Sequence, residues 1–504
     1  MGLFSANGAR PPTVSSDDVT PLRSVDALYP VSFDFTLVFQ DVLDVRILRG
    51  AADRLLRKEG WRQLGARLRR TESGELEYHL PAEFTEERPL FLFTTDRHDM
   101  SIRDHPVLCG IPKAEKETPT VYKSAANSFR PYMRSPTTPE TFDDWLYNDI
   151  PQLAFHVVNF EDATIVTVTL LHTLTDAMGL MAFYRAWTAT LRGDDDKIAP
   201  YIGYKDEDPL NGLQQGKQPP KYIFADRILQ GWGFFKFVFR NIMERFWYPE
   251  ASMRFVSIPG RYISKLALSA REDLAESRKD GDSPKPFLSD SDILCAWWTR
   301  LIVRALRPPP SRTVCLTNNF DSRDVLADLG LLPSANISLL ANAAYSAPCF
   351  EQAGRYASTS WPLGLLAQRV RSTIQLHRTV EQVQAQDAAL RESQAKTGHV
   401  PLYGDSSMLF CSFTNCHRGK LFQMDFSPAV ITDGEQQSLP KSKSGRGRPV
   451  FINCTSMESR WSSRNATAIL GRSEDSGDWW LECRLRNDVW EKIEQQLESI
   501  QHNC

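Results

Sequence analysis

The residues with the most chemical promise fall in one short run, Leu171-His172-Thr173-Leu174-Thr175-Asp176-Ala177-Met178-Gly179. Before it, Thr164–Leu171 alternates in strand fashion, with Val166, Val168 and Leu170 on one face and Ile165, Thr167, Thr169 and Leu171 on the other. After it, Leu180, Phe183, Tyr184, Trp187 and Leu191 recur at helical spacing as far as Arg192-Gly193. A strand therefore delivers a histidine at its end, and a tight turn leads into an amphipathic helix. Imidazole loses and regains a proton near neutral pH, so His172 suits a general base that deprotonates a hydroxyl or amine during acyl transfer. A rigid strand end is a good mount for such a group. The plainer alternative is that His172 satisfies a structural hydrogen bond and Asp176 caps the helix, a position Asp favours. The HxxxD spacing alone leaves both open.

The surrounding chain has to hold this turn. Its 504 residues suffice for two large domains, and 42% apolar with 24% charged residues is ordinary globular composition. A net charge of −3 offers no basic excess for nucleic acid. The nine cysteines are scattered singly, without a CxxC pair, so neither a zinc site nor a disulfide framework is implied and reduced thiols in the cytoplasm are expected. The N-terminus lacks a signal-peptide pattern, and no uncharged apolar run reaches the length of a membrane span.

Along the chain the pattern predicts a strand over 31–39, a helix over 45–57 and a hairpin over 153–160 and 164–171. Residues 205–222 read as a polar linker. Ser289-Asp290-Ser291-Asp292 predicts a capping box opening a helix. A long helix over 361–393, a strand over 407–413 and a closing helix over 489–501 complete the second half. The irregular alternation predicts an α/β protein of mixed sheets covered by helices. The division expected is 1–204, a crossover at 205–253, and 254–504. Within the crossover, Trp232, Phe235, Phe239, Ile242 and Phe246 form one helical stripe, with Lys236, Arg240, Asn241 and Glu244 away from it. Packing of that stripe onto the body is the preferred reading, and an interfacial membrane helix is the alternative.

Residues 154–193 resemble the catalytic region of the BAHD-type acyltransferases, in particular the fungal trichothecene acetyltransferase-like branch. His172, Asp176, Ala177, Gly179, Trp187 and Arg192-Gly193 stand in the family's order. Pro21-Leu22 to Asp26 resembles its opening Ser-Pro-x-Asp strand, and Gly60-Trp61 through Leu68 its Gly-Arg-Leu turn. Ser289–Arg300 is similar to its Ser-x-x-Asp…Ala-x-x-Trp helix. Asp321-Ser322-Arg323, Leu332-Pro333 and Ala341-Asn342 resemble its Asp-x-Arg…Leu-Pro…Gly-Asn run. The resemblance implies His172 as general base, and Asp176 as a structural residue held by Arg323.

The family's second signature, Asp-Phe-Gly-Trp-Gly-Lys-Pro, is split here. Asp425-Phe426-Ser427 matches its start, and Gly445-Arg446-Gly447-Arg448-Pro449 resumes it after an expected insertion of 428–444. Arg446 and Arg448 are candidates for coenzyme A phosphates, although a solvated loop is the preferred reading. Where the family carries a Thr-Ser-Trp run, this chain has Thr414-Asn415-Cys416. Thr414 is then the implied oxyanion donor, while Cys416 supplies no indole N–H. His417 reads as a surface residue.

The resemblance implies two chloramphenicol-acetyltransferase-like mixed-sheet domains with a tunnel at their interface. It implies acyl-CoA, acetyl-CoA above all, as co-substrate, with no tightly bound cofactor and no metal. The acceptor would be a small-molecule alcohol, a fungal specialised metabolite, and the enzyme a monomer. The rivals are a carrier-protein-dependent condensation enzyme and a non-catalytic binding protein of the same fold. Condensation enzymes usually show two consecutive histidines, whereas Leu171 precedes His172 here.

Overall fold

The computed structural model describes residues 10–114, 117–214, 219–276, 287–334, 337–432, 445–456, 462–474 and 476–501. Two mixed sheets organise them, as expected for an α/β fold. In the smaller sheet the strand order is Phe451–Ser456, Ser32–Phe39, Thr164–Leu171, Leu153–Asn159 and Leu92–Arg97. The larger runs Ala344–Gln352, Thr313–Asp321, Leu409–Asn415, Ala466–Arg472, Trp479–Arg486, Ala251–Ile258 and Thr120–Ala125. Leu409–Asn415 is parallel to both of its neighbours. Each sheet has its own core, the first including Phe35, Phe155, Phe183 and Trp187, the second Trp298, Leu316, Leu481 and Trp490.

Strand pairing crosses the 1–204 and 254–504 division, in the short parallel pair of Tyr201–Ile202 with Ser338–Leu339 and in two exchanged strands. Phe451–Ser456 extends the first-half sheet by pairing antiparallel with Ser32–Phe39. In exchange, Thr120–Ala125 forms an edge of the larger sheet against Ala251–Ile258. At the level of backbone pairing, each half is completed by a strand from the other.

The elements around the histidine form where the pattern places them. Leu153–Asn159 and Thr164–Leu171 pair antiparallel, and every residue of both is buried. The helix Ala177–Arg192 is capped at its start by Asp176, and it ends at Gly193 with φ 75°, a left-handed stop that suits glycine. The Ser289 capping box is present: its hydroxyl accepts from Asp292 N–H and the Asp292 carboxylate accepts from Ser289 N–H.

Four expectations are corrected. The helix expected over 361–393 is two, Leu363–His377 and Val380–Thr397, because the Thr379 side chain caps a new start. The strand expected over 407–413 is Leu409–Asn415, since Asp405 holds Ser407 in a turn before it. The 205–222 segment is not a free linker: Leu210, Leu213 and Tyr222 are buried in packed clusters, with 215–218 outside the described residues. The helix Gly231–Trp247 does not pack its stripe onto the body, for none of its residues is buried.

The two halves of the split signature meet. Phe426 N–H donates to Gly447 O at 2.8 Å, and Gly447 N–H donates to Asp41 Oδ2 at 2.7 Å. Residues 433–444, most of the expected insertion, lie outside the described residues. Gly447 has φ 71°, and a Cβ there would sit 2.3 Å from Ser427 N. Gly447→Ala therefore meets both backbone strain and a backbone clash. It should lower the thermal midpoint, by an amount corresponding to about 1–3 kcal/mol or more, read by calorimetry.

Candidate active site

His172 is pinned by its backbone. Its N–H donates to Val31 O at 2.8 Å, and its carbonyl accepts from Asn342 Nδ2 at 2.8 Å. The ring lies between Tyr29, stacked at 4.9 Å between centroids, and Phe33, tilted at 4.9 Å. These aromatics confine the ring without binding its proton. Nδ1 is buried with no hydrogen-bond partner of good geometry. Desolvation pulls the His172 pKa below its ordinary 6.5, against a smaller upward pull from its own backbone, the Asp176 charge, the Asn342 side chain and the Thr175 backbone. The neutral imidazole is thus favoured near pH 7.

Asp176 is fully engaged elsewhere. Oδ1 accepts from Gly179 N–H at 2.9 Å and Arg323 Nη2 at 2.9 Å. Oδ2 accepts from Arg323 Nη1 at 3.0 Å and Ala343 N–H at 2.9 Å. Burial pushes its pKa up, but the Arg323 charge and these donors outweigh it and leave the carboxyl below its usual value. Arg323 also donates to Asp321 at 2.8 Å, Leu339 O at 2.9 Å and Ala341 O at 3.1 Å. Both partners are buried, at 6% side-chain exposure each. Gly179 fits because a Cβ there would lie 1.9 Å from Thr175 Oγ1. The expected Asp176–Arg323 pair is present and bidentate, a geometry guanidinium supplies and ammonium does not.

Asp26 and Asn342, which in the sequence stand only as the ends of the Pro21–Asp26 and Ala341-Asn342 motifs, belong to this network. The Asn342 backbone N–H and Nδ2 both donate to Asp26 Oδ1, at 3.0 and 2.7 Å, while the same Nδ2 reaches the His172 carbonyl. Burial raises the Asp26 pKa to about 7, opposed by those two donors. Tyr29 and Phe33 were not singled out at all. An aromatic beside a strand carries no local sign of which ring it will face.

Thr414 sits near the end of Leu409–Asn415, in register with Asn319. Its Oγ1 accepts from Asn319 Nδ2 at 3.3 Å, which leaves its own proton available. Asn415 turns away: its Nδ2 donates to Ser291 at 2.9 Å and its Oδ1 accepts from His417 N–H. Cys416 is buried, and burial pushes its thiol up to about 12. His417 is not a surface residue: the strand stops at Asn415, and the ring is half-buried against Trp479, 4.5 Å between centroids. The turn that follows seats Gly419 directly against Met181 of the motif helix.

The second signature lies apart from this network. Asp425 accepts from Ser427 N–H at 2.9 Å, and Phe426 packs edge-on against Phe39 and Trp187. Arg446 is exposed and 3.9 Å from Asp41, and Arg448 pairs with Glu474. Both cations thus have carboxylate neighbours. A crevice of about 420 Å³ lined by Asn127, Arg130, Arg134 and Glu140 does not include His172.

Residues 137–500 match the transferase family. The acetyltransferase sphE of Aspergillus fumigatus is 38% identical over 99% of this chain and 98% of its own length. A protein of Sordaria araneosa named transcriptional regulator sdnM is 60% identical over 99% of this chain and all of its own. The crystal structure of F. graminearum TRI101 complexed with coenzyme A and T-2 mycotoxin shares the fold, with a TM-score of 0.68 at 16% identity over 96% of this chain and 98% of that one. The chain belongs to the transferase family, in its BAHD-type branch. It is an acyltransferase.

The buried pair gives a direct test. Asp176→Ala and Arg323→Ala should each cost about 3–5 kcal/mol of stability, because each strands the other's charge in the interior. The double variant should lose less than the sum, and urea titrations of the four proteins measure the coupling.

Proposed function

We propose that the protein transfers an acyl group, most simply acetyl, from coenzyme A to a hydroxyl of a small fungal specialised metabolite, acting as a cytoplasmic monomer. The observation that carries this reading is the state of His172. Its backbone is fixed from two sides, while its ring Nδ1 has no partner of good geometry and Asp176 has no free oxygen to offer it. A half-buried, confined imidazole with a depressed pKa and a partnerless Nδ1 suits a general base better than a structural histidine, which would spend its ring nitrogens on fixed partners.

In this mechanism His172 Nε2 takes the acceptor proton as the hydroxyl oxygen attacks the thioester carbonyl. Thr414 donates its hydroxyl proton to the developing oxyanion, its oxygen being already held by Asn319. Protonated His172 then delivers the proton to the departing coenzyme A thiolate. Holding both substrates against one fixed base supplies much of the acceleration through proximity. Asp176, Gly179, Arg323 and Asp425 keep the surrounding structure in place and do not relay protons. Coenzyme A and an acetyl donor are supported by the names of the acetyltransferase relatives and by the fold shared with TRI101. Arg446 and Arg448, paired with Asp41 and Glu474, would have to exchange those partners to meet phosphates.

The name carried by the Sordaria relative favours a rival, a non-catalytic regulator on the same fold. Thiol release from acetyl-CoA with a hydroxylated acceptor separates the two, since a regulator releases none above the uncatalysed rate. His172→Ala should lower turnover by roughly two to four decades with the fold intact by circular dichroism. The working form of His172 is unprotonated, so activity should fall as pH drops through its pKa. Because that pKa lies below 6.5, the profile should be flat at neutral pH, with its acid limb below 6.5. A limb above 6.5 would contradict the desolvated base.

A further inference from the structure

The helix Gly231–Trp247 is set onto the protein with its aromatic stripe outward. Trp232, Phe246 and Trp247 are each 69% exposed, and Phe235, Phe239 and Ile242 are exposed beside them. Its opposite side holds the polar attachments. Glu244 bonds Arg486 at 3.3 Å, and Arg245 donates to Ser462 O at 3.2 Å. Between this inner side and the body lies a crevice of about 390 Å³ lined by Glu244, Arg245, Arg312 and Arg464 together with apolar side chains, among them Leu402 and Phe410. Trp232, Phe235, Phe239 and Phe246 take no part in that crevice and stay exposed, so the centre of the stripe has no seat on the body. Continuous apolar surface of this kind on a soluble chain marks a contact, not a chance exposure.

The chemistry of the outward face selects its occupant. Lys236 and Arg240 are exposed on its flank, Arg240 at the edge it shares with the inner crevice, and among the described residues neither forms an ion pair with a carboxylate. The helix carries one acid, Glu244, and that acid is turned inward to Arg486. The outward face is thus purely cationic at its edge and aromatic at its centre, although the whole chain is slightly acidic. Trp232 stands at one end and Trp247 with Tyr248 at the other, the amphipathic rings that settle at headgroup depth, with Phe and Ile between them. No helix among the described residues is long and apolar enough to cross a bilayer, so the fit is to a surface.

We propose that this helix is an interfacial anchor: it lies in the plane of an anionic lipid surface, with its aromatic stripe among the acyl chains and Lys236 and Arg240 at the headgroup phosphates and carboxylates. A second copy of the chain is a poorer occupant, because a two-fold helix contact would bring Lys236 and Arg240 toward their own copies without an acid on that face. Anchoring goes beyond the proposed acyl transfer and does not depend on it.

The test is flotation of the full-length protein with vesicles of phosphatidylcholine containing about 30% phosphatidylserine, compared with pure phosphatidylcholine. Wild type should float with the anionic vesicles and much less with the neutral ones. Phe235→Ser/Phe239→Ser/Phe246→Ser changes only exposed positions and should keep its thermal midpoint while flotation falls roughly tenfold or more. Lys236→Glu/Arg240→Glu should abolish the preference for anionic lipid. Equal flotation on both vesicles would overturn the headgroup recognition. Failure of wild type to float would overturn the anchor, and a concentration-dependent dimer abolished by the triple substitution would assign the face to a second copy instead.

Discussion

One buried ion pair holds the candidate site together. Asp176 begins the motif helix of the first half, and Arg323 follows a strand of the larger sheet, 147 residues away. Taking both charges out of water is costly, and their mutual attraction alone would not offset it. The cost is met because each carboxylate oxygen accepts twice and the guanidinium also binds Asp321 and two backbone carbonyls. Those carbonyls belong to Leu339 and Ala341, and Ala343 donates back to Asp176. The segment 339–343 is therefore clamped, and Asn342 within it is delivered to His172 O and Asp26. The base is placed by a chain of contacts that starts at the pair.

That dependence explains what could be read from the sequence. The strand, turn and helix around His172 are local, and their periodicities switch from two to 3.6 within a few residues. Asp176 and Arg323 were recognisable together through a family resemblance, and the structure shows the reason the resemblance needs both. Tyr29 and Phe33 gave no signal, because ring stacking on His172 arises only after strands distant in sequence pair. Asn342 and Asp26 were visible as letters but not as roles, since neither motif says which atoms will meet. The same holds for the broken helix at Thr379 and for His417, where one side-chain cap and one strand end override the regular pattern.

The aromatic stripe at 232–246 shows a different limit. A hydrophobic period specifies that a helix has an apolar face, but not which way that face turns. Here Glu244 and Arg245 decide it: satisfying them against Arg486 and Ser462 turns the polar side inward, and the rings follow outward. Among charged residues inside an amphipathic pattern, those with partners on the body orient the helix. Those without partners mark its free side.

The exchanged strands have a consequence for how the chain is made. Ser32–Phe39 acquires its partner Phe451–Ser456 only after residues 40–450 have been made. At ordinary elongation rates that interval is roughly tens of seconds. Throughout it the first sheet must stand with an open, largely buried-type edge, Phe35 to Phe39, exposed to any other nascent strand. The N-terminal half cannot finish folding on the ribosome by itself. A chimaera that keeps the sheets paired as they are here must take both exchanged strands from one parent.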